Sequence, residues 1–146
     1  QLAEKRPYMD LTRVGIIGHS WGGYFATRAL LVAPDVYHVG IAIAPVVSHL
    51  ALPEYYVDLP RNNKEGYEFA DNLLLAGNLK GNLLLIHGTS AHVPFSEPVK
   101  MVEALIRADK PSDLIILPEQ DHWPVGTSDT YMQKAIRRYF EEHLKP

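Results

Sequence analysis

Ser20 lies in the run Gly18, His19, Ser20, Trp21, Gly22, which poses the question of whether its hydroxyl is a nucleophile. The pattern G-x-S-x-G makes physical sense as a sharp strand-to-helix turn that lifts a serine hydroxyl above a sheet. Small residues at Gly18 and Gly22 are expected to let the backbone pass closely. The helix start behind the turn aims backbone amides and positive dipole at the reacting atoms, which makes the Trp21 N–H the expected oxyanion donor. The bland alternative is a glycine turn in which Ser20 merely caps the helix.

A serine hydroxyl attacks poorly until a base takes its proton, so a histidine has to lie within hydrogen-bond reach. Among the seven histidines, His122 is the best placed. It follows the last apolar run and precedes the last amphipathic one, where the chain order serine, acid, histidine puts the base. His87 ends an apolar run before Gly88 and reads as a structural histidine. His19, next to the nucleophile, is expected to point elsewhere, and His38, His49 and His143 fall in surface or irregular contexts. No two histidines have the helical i, i+4 spacing of zinc enzymes, so neither a metal nor another cofactor is expected.

The elements that must position these residues follow from hydrophobic period. Near-continuous apolar runs at 14–17, 39–43, 83–86 and 114–117 predict four parallel strands covered on both faces. Between them, 22–32 reads as a helix stopped near Pro34, whose ring cannot continue it. A second helix is expected over 96–108 with Ser96 as N-cap and Val99, Val102, Leu105 and Ile106 on one face, and a third over 128–144. The stretch 45–80 is irregular, with an aromatic "PEYY" cluster and a short helix expected over 67–75. The result is an α/β fold with a parallel sheet of about four strands. Its first strand, with Val14 and Ile17 at its ends, would form an open edge, and such an edge calls for a cover. A second copy or a missing N-terminal portion is the expected partner there.

Composition bounds the rest. The chain has 146 residues, 47% hydrophobic and 21% charged, which suits one globular domain. The net charge of −3 and the interspersed basic and acidic residues exclude a phosphate-binding stripe, so nucleic acid is not an expected partner. No run approaches the ~20 apolar residues of a membrane span, and membrane is likewise not expected. There is no cysteine, hence no disulfide framework, which favours the cytoplasm slightly among compartments that the sequence leaves unknown. Gln1 at the start in place of Met, without a signal-peptide centre, leads us to expect a chain cut from something longer.

Taken in order, "RVGIIGHSWGGYFATRAL", "GIAIAPV", "LLLIHGT" and "LPEQDHWP" resemble the C-terminal catalytic domain of the prolyl oligopeptidase family of serine peptidases, in its dipeptidyl peptidase and acylaminoacyl peptidase branch. The resemblance covers nearly the whole chain. It implies a truncated α/β-hydrolase fold, with residues 1–146 forming the C-terminal part of the catalytic domain. The first strands of the sheet and the family's N-terminal β-propeller would be absent. It further implies Ser20 as nucleophile, His122 as general acid and base, and an apolar pocket drawing on Trp21, Val46, Tyr55, Tyr56 and Val93. An aromatic-walled slot of that kind favours proline or another small apolar group.

Two departures from the family pattern stand out. The family reads HG-x-x-D-x-x-V, the aspartate orienting the histidine, whereas this chain reads "HGTSAHVPF", one residue shorter between Gly88 and Val93, with Ala91 at the place of the acid. Loss of that acid is worth ~10⁴-fold in turnover in other serine hydrolases. Asp121 and Glu97 are the candidate substitute acids, with Ser90 a weak hydrogen-bonding alternative. The second departure is the other oxyanion donor, a tyrosine hydroxyl by resemblance, on a loop that this chain does not contain. Removing one such donor costs ~10²–10³-fold. The expectation is a serine hydrolase cleaving peptide or acyl bonds through an acyl-enzyme on Ser20. The alternatives are a small carboxylesterase, or a non-catalytic interaction half-domain that has lost its acid.

Overall fold

The computed structural model describes residues 5–48 and 63–145. Four strands, β1 (Gly15–His19), β2 (Val39–Ile43), β3 (Asn82–Gly88) and β4 (Asp113–Leu117), form one parallel sheet in the order β1-β2-β3-β4. β2 matches the apolar stretch that predicts it, while β1 and β3 run two residues beyond theirs, because β pairing continues into His19 and His87, where no hydrophobic signal marks it.

The helices divide between the two faces. Helices α1 (Trp21–Val32) and α3 (Ser96–Arg107), with the 3-10 segment Asn72–Asn78, cover one face; Leu30, Ala42, Leu83, Leu85, Met101 and Leu105 close its core. Helix α4 (Gly126–His143) covers the other, where Ile41, Ile43, Leu84 and Ile86 meet Met132 and Tyr139. Alternate residues of β2 and β3 serve opposite cores, which explains why their sequences are apolar throughout.

Three local expectations need correction. The short helix over 67–75 is instead two turns, α2 (Lys64–Ala70), capped by Asn63, followed by the 3-10 segment, whose start is capped by Asp71. Ser96 is the first residue of α3 rather than its cap, and Phe95 takes the cap position without a side-chain bond. Nor does α3 bury the face expected: Val99 and Ile106 are exposed, while Glu97, Pro98, Met101 and Leu105 are buried. The buried stripe is set by the i, i+4 row from Glu97 through Met101 to Leu105, and its first member is a charge that hydropathy reading leaves on the surface.

β1 stands at the end of the strand order, and Ile17 on it is 46% exposed. Among the described residues no helix is long and apolar enough to cross a membrane.

Candidate active site

Ser20 takes φ 58° and ψ −118°, outside the comfortable regions for a side-chain-bearing residue. Such a backbone costs about 1–3 kcal/mol and persists only where its surroundings fix it. Here the Ser20 N–H donates to the Ile43 carbonyl at 2.8 Å, and the Ser20 carbonyl accepts from Tyr24 N–H at 3.1 Å, tying the turn to β2 and to the first turn of α1. The side chain makes no capping bond to the helix, which removes the bland reading of Ser20 as an N-cap. The close approach lies between Gly18 and the backbone of Gly22: a Cβ on Gly18 would stand 2.0 Å from the Gly22 carbonyl oxygen. Gly22 itself faces open space, and the second tight glycine is Gly23, against Ile43 and Pro45. The expectation that Gly22 needs to be small for its own sake is therefore corrected.

His122 lies in the loop between β4 and α4, 7% exposed. Three rings or donors fix its surroundings. His19 Nε2–H donates to the His122 carbonyl at 2.8 Å, and the two rings meet edge to face with centroids 4.5 Å apart. The other face of His19 stacks on Trp123 at 3.8 Å. His92, from the short loop after β3, packs against the His122 ring with centroids 4.2 Å apart. Burial, followed by the neighbouring His19, His92 and His87, pushes the His122 imidazole down to about 4, against a small opposing pull from Asp121. His122 is therefore neutral at physiological pH, the form in which an imidazole accepts a proton. Its Nδ1 is buried and has no hydrogen-bond partner among the described residues.

His19 does not point elsewhere, as its sequence position suggests. Because the chain turns sharply at Ser20, the side chain of the last strand residue swings to the neighbouring loop and holds His122 in place. His92 was not singled out from sequence at all. Its only signal there is its position one residue after Ala91. His87 is buried, donates Nδ1–H to the Gly88 carbonyl at 2.8 Å and packs edge-on to Phe95; burial pushes its imidazole down, so it too is neutral.

The candidate substitute acids have other partners. Glu97 is completely buried, accepting from the Val47 and Ser48 amides through Oε2 at 3.1 and 3.3 Å and from Lys100 Nζ through Oε1 at 2.8 Å. Its negative charge organises the chain after β2. Asp121 Oδ1 accepts the backbone N–H of His122 at 2.6 Å, which shapes the loop and leaves the imidazole Nδ1 unbonded. Of the expected pocket residues, Trp21 packs on the buried Val46 and Val93, while Tyr55 and Tyr56 lie outside the described residues. Among the described residues no group of three ligating side chains is placed to hold a metal ion.

The turn at Ser20 and the loop carrying His122 thus meet at the carboxyl end of one parallel sheet, and the sequence of the whole chain, residues 1–146, matches the model of the prolyl oligopeptidase family. The chain belongs to the prolyl oligopeptidase family. It is 34% identical to human dipeptidyl peptidase 8 over 98% of its own length and 17% of that protein's. It is 29% identical to the rat inactive dipeptidyl peptidase 10, over 97% of the chain and 18% of the relative. Among solved structures, Porphyromonas gingivalis dipeptidyl peptidase 4 superimposes with a TM-score of 0.90 at 28% identity, covering 97% of this chain and 21% of that one. The chain therefore spans about a fifth or less of the length of these relatives. Its fold is the α/β-hydrolase fold of serine peptidases, and its ancestry is that of a serine peptidase.

Proposed function

We propose that the chain is a serine hydrolase in which Ser20 attacks a peptide or ester carbonyl and His122 carries the proton. The observation that carries this reading is the Ser20 backbone, held at φ 58° by the bond to Ile43, with a side chain that makes no capping bond. Strain retained at a residue whose side chain does nothing for its own helix points to a hydroxyl kept for chemistry.

In the first step the Ser20 Oγ proton passes to a neutral His122 nitrogen as the Oγ–C bond forms. Negative charge gathers on the substrate oxygen, which the Trp21 N–H at the start of α1 is placed to meet. Collapse breaks the bond to the leaving group, which takes the proton from His122. Water then repeats the sequence and releases the acyl group. A peptide needs its leaving amine protonated and an ester does not, so activity as a small carboxylesterase is the less demanding form of the same chemistry. Bonding along the β1 edge, to a second copy or to a preceding portion of chain, supplies the partner that an end strand calls for.

A second reading, a non-catalytic interaction domain, is favoured by one observation: the unbonded Nδ1 of His122, with Ala91 at the place of the acid. Mass spectrometry after incubation with a fluorophosphonate probe decides between them. Labelling lost in both Ser20→Ala and His122→Ala supports the hydrolase; labelling no faster than the Ser20→Ala background supports the interaction domain.

A further inference from the structure

We propose that His92 stands in for the absent acid as a positioning residue, a nitrogen of its ring accepting a hydrogen bond from His122 Nδ1–H so that Ser20, His122 and His92 form a serine–histidine–histidine relay. This rests on the hydrolase reading for its function, though the pairing itself can be tested without it.

His122 Nδ1 is a buried polar atom without a partner among the described residues, a state that desolvation makes unfavourable. The groups that surround it come from four elements, and two of them are committed. His19, at the end of β1, spends Nε2–H on the His122 carbonyl and is clamped by Trp123. His87, at the end of β3, is buried and donates Nδ1–H to Gly88; its Nε2 is also without a partner among the described residues, but its ring makes no contact with that of His122 there. Asp121, on the same loop as His122, takes the backbone N–H. His92 alone combines ring contact, at 4.2 Å and a 50° tilt, with an exposed side chain that makes no hydrogen bond among the described residues.

The backbone beneath His92 is already in place. Ser90 N–H donates to the Gln120 carbonyl at 3.0 Å, Glu119 N–H to Thr89 Oγ1 at 2.9 Å, and Val93 is buried beside Trp21. The loop after β3 is thus laced to the loop that carries His122 on one side and to the core on the other. The His92 ring has to slide and turn from its tilted contact for a nitrogen to meet His122 Nδ1–H, a movement its exposed position leaves room for. The shortened loop that removes the aspartate also brings this imidazole against His122. A neutral ring nitrogen fixes the tautomer and orientation of the base as a carboxylate does, but supplies less stabilisation to the imidazolium that forms, so the relay is weaker than one with an acid.

The test compares the parent with His92→Ala and His92→Asp, using two readouts. Nitrogen-15 spectra of the imidazoles are expected to show His122 in the Nδ1–H tautomer with a downfield, hydrogen-bonded proton that is lost in His92→Ala. The rate of fluorophosphonate labelling at Ser20 is expected to fall about tenfold in His92→Ala and to exceed the parent in His92→Asp. Urea midpoints of the three proteins separate a positioning role from simple loss of fold. Identical His122 resonances in the parent and His92→Ala would overturn the proposal. An unlabelled Ser20 together with an intact His122–His92 bond would defeat the hydrolase reading and support the pairing; labelling that ignores His92 would defeat the relay and leave the hydrolase standing.

Discussion

His19 Nε2 and the carbonyl oxygen of His122 are joined by a 2.8 Å hydrogen bond, so the residue before the proposed nucleophile holds the residue proposed as its base. Replacing the donor while keeping the ring isolates this bond. His19→Phe retains an aromatic face for Trp123 but leaves the His122 carbonyl to solvent. A half-buried bond of this kind contributes ~1 kcal/mol to stability. Labelling of Ser20 should fall further, by about tenfold or more, because a base displaced by even ~1 Å loses reach. Equal labelling rates in the parent and His19→Phe would show that the loop is held without this bond.

The two glycines of the turn predict opposite outcomes. Gly18→Ala drives a methyl group into the Gly22 carbonyl, where backbone has to move, and no folded protein is expected from it. Gly22→Ala meets nothing within 4 Å and sits inside the first turn of α1. It should stabilise the fold by about 0.5–1 kcal/mol through helix propensity. Chemical denaturation of the two variants checks both signs; a well-folded Gly18→Ala would refute the close approach.

Acidification acts through His122. In the folded chain its imidazole is held down at about 4, against 6.5 for a free imidazole. Between these values the unfolded chain binds a proton that the folded chain refuses, so stability falls as pH drops from 6.5 towards 4 and this contribution levels off below. Buried His87, also pushed down, adds to the same trend. Urea midpoints at pH 7.5 and 4.5 should therefore differ more in the parent than in His122→Gln. Labelling of Ser20 should persist to lower pH than a base with an ordinary imidazole pKa allows, its acid limb lying near 4. An acid limb near 6.5 would contradict the burial of His122.

Much of this architecture is legible in the sequence, for physical reasons that also mark where the reading stops. Parallel strands covered on both faces announce themselves as unbroken apolar runs, and the turn at Ser20 is written in its glycines. Glu97 illustrates the opposite case. A carboxylate at the start of a helix looks solvated or catalytic, and nothing local reveals that two amides from the chain after β2 and a lysine one turn away neutralise it in the core. His19 and His92 are invisible for a related reason. Their roles arise where three strand-end loops converge, and hydrophobic period says nothing about side chains that meet across loops.

Restoring a carboxylate tests how far the altered loop, rather than the rest of the fold, limits the chemistry. Ala91→Asp places an acid at the family position without changing loop length, and insertion of an aspartate between Ser90 and Ala91 restores length as well. The backbone of Ser90 is pinned to Gln120, so an acid introduced directly after it starts close to the His122 loop. A carboxylate that reaches His122 Nδ1 should raise the turnover of an activated ester toward the ~10⁴-fold that this group is worth elsewhere. The insertion variant should gain more than Ala91→Asp, since the extra residue gives the side chain its reach. It should also raise the His122 imidazole from about 4, because an ionised neighbour favours the protonated ring. The two readouts have to move together. A raised imidazole without faster turnover would place the remaining deficit in the oxyanion hole, to which the Trp21 amide is the proposed contributor.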